Sequence, residues 1–169
     1  AWLTFVLARR EMPPAAALGA VLLVATSPPL LFAATQTMSD LPGAALWTAA
    51  IVALGGHTCG RVWQAGLAAA IALAVRPNLV LVAASVWTAA TVTAEGDRAA
   101  KLRHGARLAL PIAVAAALVA LINLRLWGSP FASGYGATGD LFLGENIAPN
   151  LGRLWQWTPI SQLRGCWTA

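Results

Sequence analysis

From Leu108 to Leu124 the chain carries no charged residue and one polar side chain, Asn123. A run of about 20 mostly apolar residues is what an α-helix needs to cross a bilayer. In that setting only helices and closed barrels satisfy their backbone, so the run restricts the chain to a few architectures. The rest of the sequence follows the same pattern in shorter pieces. Apolar segments cover Trp2 to Leu7, Ala15 to Ala25, Leu41 to Leu54, Ala65 to Val75 and Leu79 to Val92. Charge decides the environment: only 10% of the 169 residues are charged and 59% are hydrophobic, with a mean hydropathy of +0.69. A soluble domain carries about 25% charged residues. The expected fold is therefore all-α, a polytopic transmembrane helix bundle with short or broken helices.

The breaks fall at residues with a mechanism. Pro28-Pro29 removes two backbone donors and disfavours helix at Ser27, so Leu30 to Met38 should be a separate, interfacial segment. Ser39 or Asp40 can cap the next helix, with Pro42 in its first turn. Gly55-Gly56 is a stop signal, and the loop GGHTCGRVWQ follows it. Arg76-Pro77-Asn78 interrupts an apolar stretch too long for one ordinary span. Two short or re-entrant helices meeting there keep both flanking loops on one side.

The net charge of +5 comes from 11 Lys and Arg against 6 Asp and Glu. Arg9, Arg10, Arg61, Arg98, Lys101, Arg103 and Arg107 lie in three loops read as cytoplasmic. Arg125, Arg153 and Arg164 lie outside, and Arg76 within a span. Basic residues confined to interhelical loops follow the positive-inside rule and argue against a nucleic-acid partner. Trp47, Trp63, Trp87 and Trp127 fall near inferred span ends, as an aromatic belt would. Residues 1–126 are thus expected to be a transmembrane region. Residues 127–169, rich in Gly, Pro and aromatics, are expected to form an extracytoplasmic loop or the start of a periplasmic segment. Neither end resembles a finished terminus, so an interior piece of a longer protein is expected. Cys59 and Cys166 fall on opposite sides of the inferred membrane, which argues against a disulfide, and two cysteines alone make no metal site.

Few residues can carry chemistry. Asp40 stands between apolar segments, where an ionisable group is expensive and functional by default. Its plainer reading is a helix N-cap. Arg76 needs an anion or water inside an apolar stretch, and a guanidinium suits a phosphate in a two-pronged way. Its plainer reading is an arginine snorkelling at a helix end. Asn78 either binds the same ligand or caps the returning helix. The loop GSPFASGYG lets backbone approach a ligand, and Tyr135 offers a ring for a sugar, although an ordinary loop reads the same way. Asp140, Glu145 and Asn146 are expected to be solvated, and His57 and His104 to be surface residues.

These residues sit in wording that resembles a known group. LARREMPPAAALGAVLLVATSPPLLFAATQTMSDLPGAALW, AGLAAAIALAVRPN, NLRLWGSPFASGYG and ENIAPNLGRLWQW together resemble bacterial dolichyl-phosphate-mannose-protein mannosyltransferase-like enzymes of the GT-C class. The resemblance implies a multi-pass protein of the bacterial inner membrane with its active face extracytoplasmic. It implies transfer of a sugar from a polyprenyl-phosphate donor, a membrane lipid, to a glycan, lipid or protein acceptor. No resident cofactor is implied, and need for a divalent metal is left open, as is oligomeric state. Arg76 would bind the lipid phosphate, with Asn78 and Tyr135 beside the substrate. Asp40 would be a supporting carboxylate, placing the acceptor or a metal. The group's main catalytic carboxylate lies in a first outer loop ahead of Ala1, so the 169 residues alone are expected to be inactive. A secondary transporter or a non-catalytic membrane subunit is the alternative, since a broken helix with a buried arginine also suits an anion pathway.

Overall fold

The computed structural model describes residues 1–35, 39–55, 59–133, 136–137 and 144–154. Seven α-helices carry them: α1 Trp2–Ala8, α2 Pro14–Ala25, α3 Pro28–Thr35, α4 Asp40–Leu54, α5 Cys59–Val75, α6 Val80–Thr93 and α7 Arg98–Trp127. The chain divides into two compact units, Ala1–Val119 and Ala120–Ala169, with the boundary inside α7. The expected all-helical class holds, apart from a two-residue antiparallel ladder that pairs Ala132 with Ala137 and Ser133 with Gly136.

Each proline break is where the sequence puts it. The α2 and α3 helices are bent by 53° across Thr26 and Ser27. A 3-10 turn, Pro77–Leu79, separates α5 from α6. Two helices begin earlier than their charged first turns suggest. Helix α5 begins at Cys59 and takes in Arg61, Trp63 and Gln64, and α7 begins at Arg98 rather than Leu108. The cause at α7 is a cap: the Asp97 carboxylate accepts the Ala100 amide at 2.8 Å. The residues that follow, RAAKLR, are good helix formers. Pro111 therefore stands deep inside a 30-residue helix, not in its first turn. Among the described residues only this helix is by itself long and apolar enough to cross a membrane, at about 45 Å. The bent α2–α3 pair passes the same test if taken as one span. Helices α4, α5 and α6 have 15, 17 and 14 residues, or about 21–26 Å, against a hydrocarbon core of about 30 Å.

Within Ala1–Val119, α4 packs most extensively on α5. Asp40 at the start of α4 meets Arg76 at the end of α5, so the two run antiparallel. Helix α6 turns back beside α4, with Leu79 near Gly43, and Val86, Ala89 and Ala90 sharing a cleft with Ile51 and Leu54. Helix α7 is antiparallel to α6: the Trp87 indole donates to the Gly105 carbonyl at 2.9 Å and Lys101 Nζ to the Val92 carbonyl at 2.9 Å. Helices α5 and α6 thus reverse direction at Arg76-Pro77-Asn78, the break expected from the sequence.

The core is built from small residues. Ala17, Ala50, Ala65, Ala69 and Ala72 are fully buried, and Leu108 is the only large side chain sealed to that degree among the described residues. Small faces permit close helix approach, the mode available where lipid competes for apolar contact. Large side chains instead point outward: Leu18, Leu22 and Leu23 on α2, and Leu110, Val114, Leu118, Leu121 and Ile122 on α7 are exposed. Only 22% of the most apolar window of α7 is buried, unlike the core helix of a soluble domain. Thr48, Ser85, Thr88, Thr91 and Thr93 donate to carbonyls four residues back at 2.7–2.9 Å, so each hydroxyl is satisfied within its own helix.

One close approach is that of α5 to α7. A Cβ at Gly66 would lie 2.6 Å from Pro111 Cγ and 3.0 Å from the Leu108 carbonyl. Proline leaves the Arg107 carbonyl without its usual donor, and Gly66 brings α5 against that bared segment. Gly66→Ala should therefore destabilise the protein by about 1–3 kcal/mol, because backbone has to separate. Gly19, with nothing within 4 Å, is the control: Gly19→Ala should be neutral or stabilising by up to about 1 kcal/mol. Thermal unfolding of both variants in the same micelles checks the pair.

Of the four tryptophans expected near span ends, Trp63, Trp87 and Trp127 are exposed, with Trp87 also donating to the Gly105 carbonyl, whereas Trp47 is 6% exposed in the α4–α5–α6 core. In Ala120–Ala169, α7 ends at Gly128, whose φ of 74° suits glycine, and Asn123 Nδ2 donates to the Pro130 carbonyl at 3.4 Å. The short ladder, a 3-10 turn at Gly144–Asn146 and a helical run over 147–154 follow.

Candidate functional site

The N-terminal end of α4 and the C-terminal end of α5 meet at the α5–α6 break. Ser39 occupies the N-cap position of α4 and makes no side-chain cap bond. Asp40 follows in the first turn, and its carboxylate forms an ion pair with Arg76 Nη1. The capping role considered for Asp40 is thus replaced by a tertiary pairing, in which the carboxylate also sits at the positive end of the α4 dipole. It is the only ion pair among the described residues.

Local sequence explains why Arg76 is available. Pro77 stops α5 at Val75, and Arg76 leaves the helix with φ −140° and ψ 87°. That extended geometry is what a residue before proline prefers. The arginine stem then lies along α4 at Gly43, where a Cβ would stand 3.8 Å from Arg76 Cδ and 3.9 Å from Leu79 Cδ1. Asp40, Gly43 and Trp47 lie on one stripe of α4, at intervals of three and four residues. The stripe reads from carboxylate, through a gap for the arginine stem, to a buried indole.

The pair is partly open, with side-chain exposures of 34% for Arg76 and 38% for Asp40. An ion pair this open contributes about 0.2–1 kcal/mol in water. Its chemical interest is greater than its stability. A guanidinium has five N–H donors in a rigid fork, more than a contact to Asp40 through Nη1 uses, so the same side chain has the capacity to meet an anion.

Asn78 is exposed in the 3-10 turn, with no hydrogen bond among the described residues, and α6 has no side-chain cap. It neither caps α6 nor touches the pair. Tyr135 lies outside the described residues, as do His57, Asp140 and Cys166, and the GSPFASGYG loop belongs to the second unit. Glu145 and Asn146 are exposed, as expected. Among the described residues no three His, Cys, Asp or Glu side chains gather in one place.

Two members of this region were missed in the sequence. Gly43 is the gap that admits the arginine stem, and Trp47 is buried with its Nε1 unpartnered among the described residues. The spacing of Gly43 and Trp47 from Asp40 carries the signal, once Asp40 is known to face α5. Comparison with family models, curated proteins and solved structures finds no match to this chain.

Proposed function

We propose that the chain belongs to a multi-pass membrane glycosyltransferase that moves a sugar from a polyprenyl-phosphate donor to an acceptor at the outer face of the bacterial inner membrane. The observation that carries the reading is the Arg76–Asp40 pair at a helix break between apolar helices. Sugar transfer from a lipid phosphate leaves negative charge on the departing phosphate, and the barrier falls when a fixed cation stands there. Arg76 supplies that cation. Asp40 holds the guanidinium in place when no donor is bound and orients it toward the phosphate when one is. Because its carboxylate is engaged by Arg76, Asp40 is a positioning residue rather than the general base, and another carboxylate takes the acceptor proton. The resemblance of AGLAAAIALAVRPN, which ends in Arg76-Pro77-Asn78, to the GT-C class is in keeping with the same assignment.

A second reading has an observation of its own. Two opposite charges that satisfy one another can simply join α4 to α5 in a non-catalytic membrane subunit. The full-length protein in proteoliposomes, given a radiolabelled polyprenyl-phosphate sugar and an acceptor extract, should form labelled product. Retention of all label on the lipid, across mannosyl, glucosyl and arabinosyl donors, would overturn the transferase. Counterflow of a sugar phosphate in the same vesicles would put a transporter in its place.

A further inference from the structure

The opposite end of the helices carries a second feature. A cleft of about 330 Å³ opens between the ends of α4 and α6 and the first turns of α7. That volume lies at the lower limit of small-molecule sites, which run from roughly 300 to 1,000 Å³. Its walls are apolar, chiefly Ile51, Leu54, Val86 and Ala89, and His104 stands among them.

The mouth is cationic. The Arg10 guanidinium lies against Gly55, which lines the cleft, and donates to the Val52 carbonyl. Lys101 donates to the Val92 carbonyl at 2.9 Å, one residue from the lining Thr93. Neither cation meets a carboxylate among the described residues. The acids around the mouth are Glu11, next to Arg10 and exposed, and, on the α6–α7 connection, Asp97, which is occupied in capping Ala100, and Glu95, which is exposed; none pairs with Arg10 or Lys101 among the described residues. Arg98, Lys101 and Arg103 also crowd the first turns of α7, where the helix dipole is positive and disfavours cations. An anion at this mouth would relieve that repulsion.

We infer that this cleft binds an anionic phospholipid, with the phosphate between Arg10 and Lys101 and one acyl chain along the wall formed by Ile51, Leu54, Val86 and Ala89. Basic pockets between membrane helices hold anionic headgroups by this combination of charge and hydrocarbon. The inference rests on the bilayer location in the proposed function and not on sugar transfer. It concerns the end of the helices opposite Arg76.

The test is native mass spectrometry of the full-length protein in detergent with phosphatidylglycerol or phosphatidylcholine added. Phosphatidylglycerol should remain bound at least tenfold more than phosphatidylcholine. Arg10→Gln and Lys101→Gln should each lower its retention about fivefold. Ala89→Trp, which fills the cleft from an exposed wall position, should abolish retention without changing the unfolding temperature of the lipid-free protein. Equal retention of both lipids, or retention unaffected by Ala89→Trp, would overturn the site. Stabilisation by inorganic phosphate equal to that by phosphatidylglycerol would also overturn it, leaving an ion site without a lipid. Recovery of the chain in the soluble fraction after alkaline extraction would overturn it together with the bilayer location. Absence of any sugar transfer by the same protein, with lipid binding intact, would count against the transferase alone.

Discussion

Arg76→Ala in the full-length protein should lower sugar transfer by roughly 100- to 1,000-fold, the usual loss when one preorganised donor to a developing negative charge is removed. The fold should survive. Pro77 rather than Arg76 ends α5, and the Arg76 side chain is 34% exposed, so its removal leaves no sealed cavity. The variant does strand Asp40, but that carboxylate is 38% exposed and keeps access to water. The split between kinetic constants identifies the role. If Arg76 steadies the departing phosphate, kcat falls with little change in KM. A rise in KM alone means it only anchors the ground-state lipid. Arg76→Lys should recover part of the rate, since an ammonium keeps the charge and loses the fork that meets phosphate and Asp40 together. Asp40→Asn should act through Arg76: a smaller loss than Arg76→Ala, and no further loss when the two are combined. Normal turnover by Arg76→Ala in correctly inserted protein would end the phosphate assignment.

Much of this arrangement was legible because it is written in local stereochemistry. Pro28-Pro29, Arg76-Pro77 and Gly55 each disfavour or end a helix by themselves, and the breaks occur there. The starts of α5 and α7 were not legible by the same rule. A segment such as DRAAKLRHGAR reads as loop when charge is taken as the sign of a loop. Yet arginine, lysine and alanine are good helix formers, and Asp97 supplies the cap. The pairing of Asp40 with Arg76 was half legible. Each residue stands out as a charge between apolar segments, and alternating helix direction puts both at one end. That they touch depends on Gly43, whose missing side chain matters only once α4 and α5 are in contact. Trp47 was misplaced for a similar reason. A tryptophan near an inferred span end suits an interface, whereas an alanine-rich partner helix leaves a hollow that only a large ring fills.

That hollow leads to the largest expected change in stability. Trp47→Ala should cost about 3–5 kcal/mol, the range for removing a buried aromatic ring, and should fall toward its upper end. The cost of a cavity depends on how well the surroundings collapse. The buried neighbours of Trp47 are Ala50, Ala69, Ala72 and Ala83, which have no side chain to swing inward. Trp47→Phe makes the complementary measurement. It keeps most of the ring and deletes the Nε1–H, which is buried without a partner among the described residues. Leaving such a donor unsatisfied costs about 1–3 kcal/mol, so its deletion offsets part of the lost volume and the variant should stay within about 1 kcal/mol of the parent. Chemical unfolding in micelles distinguishes the two substitutions. Should Trp47→Phe prove as damaging as Trp47→Ala, the N–H has an acceptor and the hollow is not simply filled space. The consequence reaches the ion pair: Trp47 sits one turn beyond Gly43 and packs with Ala69 and Ala72 of α5, so its loss should let α4 and α5 shift beneath the arginine stem. Trp47→Ala should therefore reduce sugar transfer even at temperatures where the protein remains folded, whereas Trp47→Phe, which keeps that packing, should leave it near normal.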